Sequence, residues 1–171
     1  HQRRDEEVIS LVGVDEASRR WLADCDDDER RTVLAQLATS LSRSNRFAES
    51  ESIFEAMAQR ATDDGLRTAA LLHAATAARQ AGETDAAIGY ADRVIADTTA
   101  PAKTREAAWL VKIDMLDQQS HDAALREAAK AFAAAFPNSK HRFDVAELSG
   151  RAAIAMNDHD GAAATFKRLV Q

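Results

Sequence analysis

A single cysteine, Cys25, stands in the 171 residues. It excludes an internal disulfide framework. Three acidic neighbours, Asp26, Asp27 and Asp28, disfavour a thiolate, which argues against a catalytic cysteine. There are two prolines and six glycines. Few points therefore break a helix, and the scattered glycines form no phosphate-cradling loop. Aromatic residues are 5% of the chain. β-branched residues are sparse and do not alternate with polar ones, so no strands are expected. No apolar run reaches the roughly 18 residues that a membrane-spanning helix needs. Basic residues are outnumbered 28 to 22, for a net charge of −6. That balance argues against non-specific nucleic-acid binding, which needs a basic surface. The first residues, His1 to Glu7, do not read as a signal peptide. The chain begins without Met, so it is expected to be a processed or excised piece, and a removed signal leaves the compartment open.

What is present is alanine. Apolar residues make up 46% of the chain, and alanine dominates them. Alanine has the best helix propensity and lets helices approach closely. The fold class read from this is all-α.

Four segments share one pattern: a polar or Gly turn, a small residue, then spaced apolar positions. They start at Asn45, Gly82, Gln119 and Asn157, with spacings of 37, 37 and 38 residues. A period of this length makes each repeat one supersecondary unit. Each turn separates two helical stretches. The first helices are predicted over 28–43, 66–81, 102–118 and 140–156. The second are predicted over 46–61, 84–97, 121–136 and 159–170. Asp26-Asp27-Asp28 places negative charge at a helix N-terminus, where the helix dipole favours it. Thr98-Thr99-Ala100-Pro101 breaks the chain, with Pro101 suited to the first turn of a new helix. Phe136-Pro137 ends another helix, and Asn138 or Ser139 is placed to cap the next. Ala38, Ala75 and Gly150 hold one equivalent place in three first helices, where a bulky side chain would wedge a helix pair apart. In this alignment Lys112 departs from that rule in the third unit.

Residues 1–27 do not fit the period. Glu6–Val12 and Glu16–Cys25, the latter with Trp21 and Leu22, read as N-terminal capping helices. Terminal units of repeat arrays are expected to be atypical. Residues 28–171 then form the repeat domain, in units 28–64, 65–101, 102–139 and 140–171. The last stretch, Ala162–Gln171, stops inside its helix, as expected of a piece of a longer array. Alanine contacts bury little area each, so a chain divided near Pro101 is expected to leave two unstable halves.

The run Leu71, Ala75, Ala78, Gly82-Glu83-Thr84-Asp85-Ala86-Ala87-Ile88, Ala91 and Val94 resembles the tetratricopeptide repeat. The resemblance covers about residues 28–171. Phe136-Pro137-Asn138-Ser139-Lys140, followed by a helix and Asn157-Asp158-His159-Asp160-Gly161-Ala162, is similar to a subset found in bacterial envelope proteins. These include the outer-membrane barrel-assembly lipoprotein and the cell-division coordinator of the Tol–Pal system. The early aromatic of the family is missing at Leu34, Leu71 and Ala108. Its later tyrosine is replaced by Leu41, Ala78, Met115 and Ala153. The resemblance implies a right-handed superhelical solenoid of antiparallel helix pairs and a non-catalytic protein–protein interaction scaffold. It also implies a periplasmic or envelope-associated location rather than a cytoplasmic one.

No enzyme, metal or cofactor is expected. Asp158-His159-Asp160 and His121-Asp122 read as solvated turns between helices rather than metal ligands. His73, on an alanine-rich helix, reads as a packed or groove-lining residue. The many carboxylates read as the wet face of an acidic helical protein.

Carrying over the family's groove-facing places gives Ala35, Thr39, Ser42 and Arg43, then Leu72, Thr76, Arg79 and Gln80. The third unit contributes Trp109, Ile113 and Leu116, and the fourth Glu147, Arg151 and Ile154. Trp109, Ile113 and Leu116 share one helix face; Ala108, Val111 and Met115 share another. A helix apolar on two faces is either buried on both or offers one to a partner. If Trp109 is exposed, it and the flanking Arg79 and Arg151 have the composition of an interface hot spot, and the two arginines suit a peptide carboxylate. The expected partner is a protein or peptide. Two alternatives stand beside it: a ligand-sensing regulatory domain with a closed apolar pocket, and a self-assembling homo-oligomer joined end to end.

Overall fold

The computed structural model describes residues 27–169. The expected capping helices, with Trp21, Leu22 and Cys25, lie outside the described residues. Among the described residues there are eight α-helices and no strand. They are α1 (Asp27–Arg43), α2 (Phe47–Arg60), α3 (Asp64–Ala81), α4 (Thr84–Ala96), α5 (Ala102–Gln118), α6 (Asp122–Ala135), α7 (Arg142–Ala155) and α8 (His159–Leu169). The predicted spans agree with these to within two residues.

Local chemistry explains the boundaries. Asp27, Asp28 and Glu29 fill the first turn of α1, where the dipole favours carboxylates. The Asp63 carboxylate caps α3 by accepting the Leu66 N–H at 2.9 Å. Pro101 sits at the N-cap of α5. Ser139 Oγ accepts the His141 N–H at 3.0 Å just before α7.

The turn inside each pair is one structure made four times. Asn45, Gly82, Ser120 and Asn157 have φ between 54° and 79°, 37, 38 and 37 residues apart. The next residue in each case donates its N–H to a carbonyl five positions back. Those bonds are Arg46 to Leu41, Glu83 to Ala78 and His121 to Leu116, each 2.9 Å, and Asp158 to Ala153, 2.8 Å. A second N–H bond, from the left-handed residue itself, closes each turn onto Ser42, Arg79, Asp117 or Ile154. Together they form a Schellman closure, which satisfies the last carbonyls of a helix.

This geometry corrects the sequence alignment by one residue in the third unit. The left-handed residue is Ser120, not Gln119. Every position of α5 shifts accordingly. Ile113, not Lys112, matches Ala38, Ala75 and Gly150, and Trp109 matches Leu34 and Leu71.

The small-residue place behaves as steric reasoning demands. Ala38 and Ala75 have no exposed surface. Ser50 of α2 donates to the Ala38 carbonyl at 2.8 Å, which requires close backbone approach. A Cβ at Gly150 would lie 2.4 Å from Phe166 Cζ, so only glycine admits that ring. Ile113 fills the place in α5, and α5–α6 is the least extensive contact of the four pairs.

Helices pack mainly on their sequence neighbours, with further contacts between first helices, α3 on α5 and α5 on α7. The buried apolar residues form two clusters. One spans α1 to α5 and is built around Phe54, Leu71, Tyr90, Val94 and many alanines. The other joins α5, α6 and α7 through Ile113, Leu116, Leu125, Phe132 and Val145. The helix α5 serves both: Ala108, Val111 and Met115 face the first cluster, Ile113 and Leu116 the second. Among the described residues no helix is long and apolar enough to cross a membrane.

Candidate functional site

Two regions of the surface carry the residues of interest. The first is the set of predicted groove positions on α1, α3, α5 and α7. Positions six residues before the left-handed turn are Thr39, Thr76, Asp114 and Arg151. Positions ten before it are Ala35, Leu72, Leu110 and Glu147.

The structure divides the predicted site residues. Leu72, Thr76 and Arg79 of α3 are half-buried, while Glu147, Arg151 and Ile154 of α7 are exposed. All six leave surface for a partner. Ile113 and Leu116 do not: they are 1% and 4% exposed, inside the second core cluster. Their assignment to the groove is therefore corrected, because a side chain buried between α5, α6 and α7 has no surface to offer. Ala108, Val111 and Met115 on one face of α5, and Ile113 and Leu116 on the other, are consumed by packing.

Trp109 is half-buried against the second cluster. The Lys112 ammonium stands 5.7 Å from the centre of its ring, within range of a cation–π interaction. Lys112 also pairs with Asp92 at 2.7 Å. Trp109 is thus a wall between units, with part of its surface open.

The two arginines differ in their surroundings. Arg79 Nη1 holds Asp114 Oδ2 at 2.9 Å, bridging α3 to α5 across this face. Both side chains are more than a third exposed, so the pair is weak and leaves Arg79 able to exchange Asp114 for an incoming carboxylate. Arg151 makes no ion pair with a described residue in this structure. The places missed by the sequence alignment are Leu110, Asp114 and Asp117. The signal that would have found them is the turn itself. Asn and Gly tolerate the left-handed conformation, and Gln119-Ser120 contains neither.

The second region is a cleft of about 830 Å³ bounded by α1, α2 and the first half of α3. Here α1 and α3 do not make the extensive contact that α3 makes with α5. Leu34, Phe54, Met57, Leu66 and Ala70 line it, and arginines stand around it. His73 closes one end. Its ring stacks on Phe54, with centroids 4.9 Å apart and planes 21° from parallel. Loss of solvent around the imidazole lowers its pKa below the usual value. His73 is thus packed on Phe54 at the wall of the cleft.

The turn Asp158-His159-Asp160 is structural. Asp158 accepts the Gly161 N–H at 2.9 Å and pairs with Arg126 at 2.7 Å. The Gly161 bond, then Arg126, holds its carboxyl below the usual carboxylate range. No group of three or more ligating side chains gathers among the described residues.

Comparison with protein-family models and with curated proteins finds no match for this chain.

Proposed function

We propose that the chain is a helical-repeat scaffold of the tetratricopeptide type, which holds a peptide or helix of a partner protein against the face of its first helices. The observation that carries this reading is the fourfold recurrence of one turn, with the same two closing hydrogen bonds, every 37 or 38 residues. The same turn within each pair is what a stack of repeated units would carry. Stacking of such units curves the array and leaves one helix layer lining the inner surface. The corrected register adds support. Trp109 now stands at the early first-helix place where the resembling family carries a bulky aromatic.

The face itself suits a polypeptide. It alternates small, apolar and polar groups, with Leu72 and Leu110 beside Thr76, Asp114 and Arg151. Specificity would come from a few such polar groups around apolar anchors. Selection of a displayed peptide library on the whole chain tests the proposal. Enriched peptides should lose binding to the double variant Leu72→Arg with Arg151→Glu, while circular dichroism stays unchanged. Failure to enrich any sequence, or binders indifferent to both substitutions, would overturn this assignment of the face.

A further inference from the structure

We propose that two copies of this chain pair through α7, antiparallel about a two-fold axis, along the stripe Phe143, Glu147, Arg151 and Ile154. Spacings of four, four and three residues place these side chains on one side of a helix. All four are exposed. Val145 and Ala152, on the other side, are buried in the second core cluster. Phe143 and Ile154 are 45% and 49% exposed, large apolar side chains left open to solvent.

The stripe continues the contact that already joins one unit to the next. Arg79, three residues before the left-handed residue of its unit, pairs with Asp114 of α5. Glu106, fourteen residues before that of its own unit, accepts the Ser139 hydroxyl just ahead of α7. On α7 the same two places are Ile154 and Phe143. Among the described residues no further first helix follows α7. Where the earlier units hold their neighbour by polar links, α7 therefore carries two uncovered apolar groups.

The order of residues along the stripe selects a second copy as the occupant. The pairs Phe143 with Ile154 and Glu147 with Arg151 share one midpoint, at Leu148 and Ser149. An antiparallel copy centred there sets Phe143 against Ile154 twice and Glu147 against Arg151 twice, as a two-fold interface requires. Neither Glu147 nor Arg151 makes an ion pair with a described residue, so both charges are available to the other copy. Glu147, Arg151 and Ile154 also belong to the predicted groove. Pairing takes up the α7 end of that groove and leaves Leu72 and Thr76 of α3 for a peptide.

The test is analytical ultracentrifugation of the whole chain from about 1 μM to about 1 mM. The mass should rise from one chain to two and stop there. Ile154→Glu should weaken pairing by about tenfold or more, since it sets a charge against Phe143 of the other copy. Circular dichroism should not change, because the site is half open. Glu147→Arg and Arg151→Glu should each weaken pairing by about tenfold or more, because like charges then meet twice. An equimolar mixture of these two variants should pair again, since each arginine of one meets a glutamate of the other. A rearrangement within one chain cannot produce that recovery. A single chain at every concentration, or a dimer indifferent to Ile154→Glu, overturns the proposal. So does a mixture that stays apart, which would mean a different register. Growth beyond two chains overturns it in favour of end-to-end stacking. Leu72→Arg lies off the stripe and should leave the dimer intact. Library peptides without a dimer overturn the pairing alone, and a dimer without library peptides overturns the scaffold reading alone.

Discussion

Replacing Gly150 with alanine sets two known effects against each other at a place where the structure decides the sign. Alanine in a helix interior is favoured over glycine by about 0.8–1 kcal/mol. Gly89 in α4 shows that term alone, since a Cβ there meets nothing within 4 Å. At Gly150 the new Cβ would stand 2.4 Å from Phe166 Cζ and 2.8 Å from both Cε atoms. An aromatic ring seated across the helix has no flexible end to swing aside. Either the ring leaves its rotamer or α8 shifts off α7, and overpacking of this kind costs about 1–3 kcal/mol. The helix term is common to both glycines and cancels in the comparison. Gly89→Ala should therefore raise stability by close to 1 kcal/mol. Gly150→Ala should fall about 1–3 kcal/mol below it, a gap of the overpacking cost alone. At this chain length each 1 kcal/mol moves the melting temperature by about 2–4 °C, so thermal denaturation resolves the two. Amide exchange in α8 should quicken in Gly150→Ala. Shrinking the ring with Phe166→Leu in that background should close most of the gap. If Gly150→Ala stabilises as much as Gly89→Ala, α7 and α8 do not approach as described, and the small-residue argument fails.

Other substitutions test other parts of the reasoning. Ile113→Ala should cost about 2–5 kcal/mol in chemical denaturation, because the side chain is a fully buried core element; a loss near zero would return Ile113 to the groove. A double-mutant cycle on Arg79 and Asp114 should give a coupling of about 0–1 kcal/mol, since both are more than a third exposed. Glu51→Gln should raise stability at neutral pH. Burial, then the nearby Glu83, pushes the Glu51 carboxyl up, with the Tyr90 hydroxyl offsetting part of this. A carboxyl whose pKa is raised on folding contributes stability below its ordinary value of about 4.3 and loses it as pH climbs through the raised one. The advantage of Glu51→Gln should therefore vanish in acid, and one that persists at low pH would show that charge is not its cause.

The helices were legible because their ends are written in local chemistry. Asp63, Pro101 and the Phe136-Pro137 step each mark a boundary with one or two residues, and the structure keeps them there. The period was legible because Asn45, Gly82 and Asn157 are residues that tolerate the left-handed conformation. Ser120 is not a preferred residue for it, so the third unit slipped by one position. That slip had consequences for the site. It put Lys112 where Ile113 belongs and hid Leu110 and Asp114. Burial was the second thing that sequence alone did not settle. The two faces of α5 were read correctly as apolar, but a stripe of Trp109, Ile113 and Leu116 looks the same whether it meets a neighbour or a partner. The cleft was illegible for a different reason. It is made by a gap between α1 and α3, and no single helix pattern records a distance between two units.

The double use of α5 gives the expected weakness at Pro101 a structural cause. Division there leaves α1 to α4 without Ala108, Val111 and Met115, which close their cluster. Much of what remains is alanine, whose burial contributes little per residue, at about 25 cal/mol per Å². The other half keeps Ile113, Leu116, Leu125, Phe132 and Val145 together, and these carry larger buried areas. It also exposes the opposite face of α5. The halves should consequently differ. The C-terminal piece retains an aliphatic and aromatic cluster and should keep measurable helicity, whereas the N-terminal piece should lose most of its own. Neither should melt in a sharp transition, because each has lost the helix, or the helix face, that joined the clusters. A cooperative transition in the N-terminal half alone would mean that its alanine contacts suffice without α5, and that α5 does not couple the two halves of the chain.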